Sequence, residues 1–193
     1  MKTSPLMVAL LASALCAPPV FGAEPKVKVL SPALDATQQT VLVGRNAVDN
    51  MVVTLEIEAA KSMWMQMGKP PVWMAHPVVK GERFHVEVKP VDPGSKTRIA
   101  YADVKFSAVN QDNRKKVSGK LEPMWGGSGL HYAYNSPLAG DGAYIATVTV
   151  GVPTFGRDAK NKDMWSKPVT TQFHFKLADG KLVEVTEPAP EPK

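Results

Sequence analysis

A methionine and a histidine separated by a glycine-rich turn are the residues of this sequence best suited to bind a metal. Met124 and His131 lie seven positions apart, and Gly126-Gly127-Ser128-Gly129 lies between them. A soft thioether and a borderline imidazole that converge on one point are ligands that copper selects, and imidazole alone also suits iron or zinc. A methionine after a proline at a strand end is commonly a core residue, however, and a single loop histidine is commonly solvent-exposed. The spacing alone leaves these alternatives open.

The stretch from Gly119 to Pro168 contains a longer pattern around these two residues. It reads G-x-L-x-P-M, then H-Y-x-x-N-x-x-L-x-G-x-G-x-Y, then P-x-x-G-R and W-x-x-P. The residues that carry it are Gly119, Leu121, Pro123, Met124, His131, Tyr132, Asn135, Leu138, Gly140, Gly142, Tyr144, Pro153, Gly156, Arg157, Trp165 and Pro168. This pattern resembles the periplasmic iron-transport protein family, which are copper-binding proteins encoded beside high-affinity ferrous-iron permeases. The resemblance extends from roughly Tyr101 to Phe175.

The resemblance implies a fold, an assembly and a function. It implies an immunoglobulin-like antiparallel β-sandwich that forms a homodimer, with a metal site at or near the dimer interface. It implies a copper ion as the bound metal, with iron(II) as the second candidate. The expected partner is an inner-membrane iron permease, for which the protein would bind or hand over the metal.

The family also carries an H-x-E pair on an early strand, the histidine as a copper ligand and the glutamate as an additional acidic ligand. We place this pair at His85 and Glu87. Residues two apart on a strand point to the same face, so both side chains can reach one ion. A rival placement at Thr54-Leu55-Glu56 loses the histidine and leaves a long insertion before Tyr101. The structural alternative is that His85 and Glu87 lie on the solvated face of an amphipathic strand.

Asp158 stands where the family usually has a histidine after Gly-Arg, often supplied to the copper site by the second subunit. A hard carboxylate in place of an imidazole weakens the affinity for Cu(I) and favours harder ions such as Fe(II) or Mn(II). The substitution is also compatible with a site that has decayed. Asp158 is thus the fifth candidate ligand, beside His85, Glu87, Met124 and His131.

A second group of thioethers lies upstream, in Met63-Trp64-Met65-Gln66-Met67, followed by Trp73-Met74-Ala75-His76. If the first segment is extended, its three methionines share one face, which would suit Cu(I). The alternative is an adaptable hydrophobic patch under a proline-rich loop, because methionine fills irregular gaps well. Both interpretations remain open at this stage.

The rest of the chain is mostly strand-like. Alternating or β-branched runs occur at Val27–Leu30, Met51–Ile57, Phe84–Val88, Ala102–Val109, Tyr144–Val150 and Thr170–Leu177. Glycine-containing turns such as Gly140-Asp141-Gly142 and Asp179-Gly180 separate the later ones. Many short strands spaced in this way predict an all-β sandwich.

Residues 1–23 are typical of a cleaved secretory signal peptide, because Lys2 precedes an apolar run from Leu6 to Ala17 that is too short to span a bilayer. We therefore expect a periplasmic protein without stable membrane insertion. Residues 24–185 are expected to form a single β-sandwich domain, and residues 186–193 a disordered, proline-rich tail.

The composition and motifs argue against several functions. The chain has 23 Lys and Arg against 18 Asp and Glu, a formal net charge of +5, and its only cysteine, Cys16, lies within the signal segment. The densest basic run, Arg114-Lys115-Lys116, is typical of a solvated hairpin tip, so no nucleic-acid binding is predicted. No enzyme is predicted either, since the chain has no nucleophile elbow, zinc-protease helix, phosphate loop or dinucleotide fingerprint.

The sequence therefore predicts a periplasmic metal-binding protein of high-affinity iron uptake. One rival is a copper-delivery or copper-tolerance protein that uses the methionine-rich segment. The other is a metal-free structural or interaction sandwich that kept the fold and lost the site.

Overall fold

The computed structural model describes residues 26–190, and the signal segment at residues 1–23 lies outside this range. Twelve strands make up its regular structure. They are β1 (Val27–Leu34), β2 (Val41–Val48), β3 (Met51–Ala59), β4 (Met63–Met67), β5 (Val72–His76), β6 (Phe84–Val91), β7 (Val104–Asn110), β8 (Lys116–Gly126), β9 (Gly129–Ser136), β10 (Gly142–Val150), β11 (Val169–Ala178) and β12 (Lys181–Thr186). No helix in residues 26–190 is long and apolar enough to cross a membrane.

Ten strands form one continuous antiparallel sheet in the order β1-β12-β11-β10-β7-β8-β9-β6-β3-β2. The long strand β8 connects the two halves of this sheet. The first part of β8 pairs with β7, and its last part, from Glu122 onward, pairs with β9. The edge strand β2 packs back against β11 and β12, where the Asn46 amide donates hydrogen bonds to Thr171 and to the Gln172 carbonyl. The sheet is thereby folded into a nearly closed antiparallel sandwich, which confirms the predicted fold class.

Alternation along the strands builds the core of the sandwich. In β10 every second residue is buried, from Gly142 to Val150, as expected for a strand with one face inward. Aromatic rings fill the interior, and Tyr144 stacks on Phe175 with ring centroids 4.8 Å apart. Gly119 allows a close approach of the Tyr134 ring, since a Cβ atom there would lie 2.7 Å from it.

Five of the six strand-like runs identified in the sequence lie within β1, β3, β6, β10 and β11, and the sixth, Ala102–Val109, overlaps β7 from Val104 onward. At the C-terminus, β12 ends at Thr186, one residue past the expected domain boundary at residue 185, and residues 191–193 of the predicted tail lie outside the described residues. Thr186 is buried, the Glu187 N–H donates to the Lys26 carbonyl, and the Ala189 N–H donates to the Arg45 carbonyl. These backbone hydrogen bonds hold the first part of the proline-rich segment against β2 and the start of β1.

The β4–β5 hairpin is the one two-stranded sheet in the described residues. It is inserted between β3 and β6, which are themselves paired. The segment of Met63, Met65 and Met67 is therefore extended, as one of the two interpretations of the sequence required.

Candidate metal centre

Three neighbouring strands bring four of the five candidate ligands onto one face of the sheet. His85 and Glu87 alternate along β6, which pairs with β9 so that Glu87 lies opposite Ala133. His131 is two residues from Ala133 on β9, and its direct partner on β8 is Met124. The turn at Gly127-Ser128 closes the β8–β9 hairpin. The return of the chain from Met124 to His131, expected from the glycine-rich sequence, is thus present.

His85, Glu87 and His131 form a buried cluster. Their side chains are 0%, 5% and 2% exposed. The Glu87 Oε1 atom lies 3.8 Å from His85 Nε2 and 3.5 Å from His131 Nε2. One donor atom from each residue lies within 4.8 Å of the others. Because all three are buried, the alternative of a solvated strand face is wrong for His85 and Glu87.

Hydrogen bonds on the far side of each imidazole orient it toward the cluster. The His131 Nδ1–H donates to the Gly129 carbonyl at 2.9 Å, since a carbonyl can only accept. The His85 Nδ1–H donates to Asn135 Oδ1 at 2.9 Å, because the Asn135 Nδ2 donates to the Lys61 carbonyl and to Glu82. Such outer contacts fix the tautomer and the ring orientation of metal-binding histidines.

The opposite ring nitrogens have no hydrogen-bond partner. His85 Nε2 and His131 Nε2 are buried and unpaired, and with Nδ1 protonated each carries its lone pair on Nε2. Buried polar atoms are nearly always hydrogen-bonded, so two unpaired acceptors beside one carboxylate are unusual. Their chemistry and position fit a cation, since the lone pair of a neutral imidazole is a metal ligand.

Two lysines balance the charge of Glu87. Lys61 lies 3.3 Å from its Oε1 atom and Lys89 lies 3.1 Å from its Oε2 atom. Burial alone would raise the pKa of Glu87, but a hydrogen bond with Glu58 and the nearby positive charge of Lys89 lower it below its usual value. Glu87 is therefore an anion at neutral pH and available as an oxygen ligand.

Burial acts on His85 in the opposite direction. Desolvation lowers its pKa below the usual value, and the nearby Lys61 charge adds to this, although the hydrogen bond to Asn135 and the charge of Glu87 work against it. His85 is thus neutral at pH 7. It can bind a cation without first losing a proton.

Two cavities meet at His131. One, of about 720 Å³, is lined on one side by Met124, Trp125 and His131 and on the other by the β4–β5 hairpin, including Met63 and Met65. The second, of about 640 Å³, is lined by charged side chains. These are Glu56, Glu58, Lys61, Glu87, Lys89 and Arg98. The half-buried Met124 thus reaches the first cavity from the strand position opposite His131.

Asp158 is not part of the cluster within one chain. It lies in the loop between β10 and β11, is exposed, and accepts hydrogen bonds from the backbone N–H groups of Lys160 and Asn161. A contribution of Asp158 to a metal centre would therefore have to come from a second subunit, as the family resemblance implied.

Sequence reasoning did not identify Lys61, Lys89 or Asn135 as parts of the site. A signal for Lys89 was available, because it continues the alternation of His85 and Glu87 on the same strand. Asn135 belongs to the family pattern, but its role as partner of His85 depends on the pairing of β6 with β9. Lys61 lies between β3 and β4, at the start of the inserted hairpin. The sequence offered no signal that it would approach Glu87.

Comparison with known proteins places this cluster in a family. Residues 83–178 match the family model described as Fe2+ transport protein. The chain belongs to this Fe2+ transport protein family. The matched region contains all five candidate ligands, from His85 to Asp158, whereas the rival placement at Thr54-Leu55-Glu56 lies outside it. No curated protein matches the chain significantly.

Solved structures share the fold of the family member described here. FetP of uropathogenic Escherichia coli strain F11, as isolated, matches with a TM-score of 0.57 and 19% identity over 72% of this chain and 97% of that chain. A copper-bound variant of FetP matches with a TM-score of 0.58 and 20% identity, over 72% and 93%. Copper-reconstituted P19 of Campylobacter jejuni matches with a TM-score of 0.56 and 18% identity, over 72% and 96%.

Proposed function

We propose that this protein is a periplasmic metal-binding protein of high-affinity iron uptake, which binds copper or ferrous iron for an inner-membrane iron permease. One observation carries the proposal: two buried imidazole Nε2 atoms without hydrogen-bond partners lie beside one buried carboxylate. Membership in the Fe2+ transport protein family and the copper-bound forms of FetP and P19 support it.

The donor set suits both metals. His85, His131 and Met124 provide two imidazoles and one thioether, which copper accepts readily. Glu87 adds a hard oxygen, which ferrous iron prefers over sulfur. Ligands of both kinds around one centre explain how the same protein could serve iron uptake and bind copper.

In this proposal the protein acts as a homodimer, and its signal peptide directs it to the periplasm and is then cleaved. In the dimer, Asp158 of the second subunit would approach the centre and add a negative charge. This would offset part of the positive charge that Lys61 and Lys89 place beside Glu87. The protein would bind the ion and transfer it, and it would not turn over a substrate.

The test is copper binding by the purified protein, with each histidine replaced by glutamine. His85→Gln and His131→Gln each remove one imidazole and keep a side chain of similar size, so the affinity for copper should fall about a hundredfold or more. His174→Gln is the matched control, because His174 lies on β11 outside the cluster, and it should leave binding unchanged.

Iron binding completes this test. Anaerobic titration with Fe(II) should give one equivalent for each chain, and both histidine variants should lose it. Wild-type protein that binds neither copper nor Fe(II) would refute the proposal and favour a sandwich that has lost its site.

A further inference from the structure

The β4–β5 hairpin places a second set of soft ligands on one of its faces. Its register pairs Met65 directly with Met74, and Met63 directly with His76. Directly opposite residues of an antiparallel pair point to the same side, and so do alternate residues along a strand. Three thioethers and one imidazole therefore share a face. The sequence had suggested Met63, Met65 and Met67, but the register places Met67 opposite Val72 at the far end.

The spacing on this face suits a single ion. Cβ atoms of opposite residues lie about 4.5–5.5 Å apart, and those of alternate residues on one strand about 6.5–7 Å apart. The four side chains thus occupy the corners of a small patch. Methionine is unbranched and turns about three bonds, so its sulfur can reach the centre of such a patch.

Packing explains only part of this methionine face. Met63 is 7% exposed and belongs to the interior, but Met74 is 48% exposed, and Met65 and His76 are half-buried. A half-exposed thioether does not fill a gap in a core. Moreover, the hairpin forms its own two-stranded sheet, and isolated hairpins are marginally stable in water. A ligand bound across both strands would stabilise it.

The chemistry of the face selects one class of ion. The hairpin from Met63 to His76 contains no Asp or Glu, so its soft donors are thioethers and one imidazole, with no anionic ligand among them. Soft neutral donors favour Cu(I) over Fe(II), Zn²⁺ and other harder ions. Without an anionic ligand to balance a second charge, a monovalent cation fits better than a divalent one.

We propose that Met63, Met65, Met74 and His76 form a second metal site, specific for Cu(I), on the β4–β5 hairpin. This site is separate from the centre at His85 and His131 and does not depend on the function proposed for that centre. Met63 and Met65 also line the cavity onto which Met124 and His131 open. Two of the four proposed ligands therefore border the cavity that reaches the central site, whereas Met74 and His76 do not line it.

Silver(I) serves as the probe, because it resembles Cu(I) in its ligand preference and does not change oxidation state under these conditions. The experiment uses the full-length mature protein carrying His85→Gln and His131→Gln, which disables the central site. This protein should still bind one Ag(I). Adding Met65→Leu and Met74→Leu should abolish that equivalent or weaken it by about tenfold or more, whereas adding Met164→Leu, in the β10–β11 loop, should not.

A second measurement uses the unmodified protein, so its result does not depend on whether the variants fold. With ¹³C-labelled methionine methyl groups, Ag(I) should shift the signals of Met63, Met65 and Met74, with Met164 unchanged. The proposal is overturned if Ag(I) saturates the protein without moving the Met65 and Met74 signals. It is equally overturned if the Met65→Leu/Met74→Leu protein binds Ag(I) as tightly as its parent.

Discussion

The two cavities beside His131 are lined by opposite kinds of side chain. One contains Met63, Met65 and Met124 together with indole rings, and the other contains three acidic and three basic side chains. The soft donors come from β8 and the inserted hairpin, and the charged ones mostly from β3 and β6. His131 belongs to both. A metal bound at this position would have thioether sulfur on one side and carboxylate oxygen on the other.

This contrast between the cavities would allow one centre to accept two metals of unlike preference, as the proposed function requires. The charged cavity does not act as a general attractor for cations, because its acids and bases balance. Instead, Lys61 and Lys89 hold Glu87 ionised next to the imidazoles. The soft cavity has two charged lining residues, Lys61 and Glu122, and contributes polarisable sulfur. Changing one cavity should therefore affect one metal more than the other.

The largest effect is expected from the charged side, with Glu87→Gln. The change removes the only anionic ligand of the buried cluster, so Fe(II) affinity should fall about a hundredfold, and copper affinity less. Unfolding free energy should also fall by about 2 kcal/mol, because Lys89 loses one charged hydrogen bond but keeps Glu56. Calorimetric titration and chemical denaturation measure the two effects. Glu184→Gln, which alters a surface ion pair with Lys176, is the matched control and should leave both affinities unchanged. If Glu87→Gln lowered the affinities for copper and Fe(II) equally, the charged cavity would not favour one metal over the other.

The soft side is tested by Met124→Leu. Leucine has a similar volume, so stability should change by less than about 1.5 kcal/mol. Cu(I) affinity should fall by about tenfold, since one thioether is lost, while Fe(II) affinity should stay constant. Competition with a Cu(I) chelator gives the first value and anaerobic titration the second. A loss of Fe(II) binding here would mean that the two cavities are not chemically distinct.

The sequence was enough to predict the proximity of candidate ligands that lie close together along the chain. His85 and Glu87 are two residues apart on one strand, and Met124 and His131 are joined by one tight turn. The lysines and Asn135 could not be placed, because their positions depend on which strands pair. Met74 and His76 were seen as part of a cluster, but only the register of β4 with β5 puts them opposite Met65 and Met63.

The smallest effect is expected from Asp158→His, which restores the residue usual in the family. Asp158 is exposed in a loop and holds local hydrogen bonds, so its replacement should cost less than about 1 kcal/mol of stability. If the loop of one subunit reaches the centre of the other, copper affinity should rise by about tenfold. Asp163→His, in the same loop, is the control and should have no effect. Equal affinities for both variants would exclude Asp158 from the site.

The proposed centre is tested most directly by the position of copper in crystals of the copper-loaded protein, located by anomalous scattering at the copper edge. We predict a peak about 2 Å from both His85 Nε2 and His131 Nε2, which are buried and have no hydrogen-bond partner. Copper located elsewhere, with both of these nitrogens unligated, would contradict it.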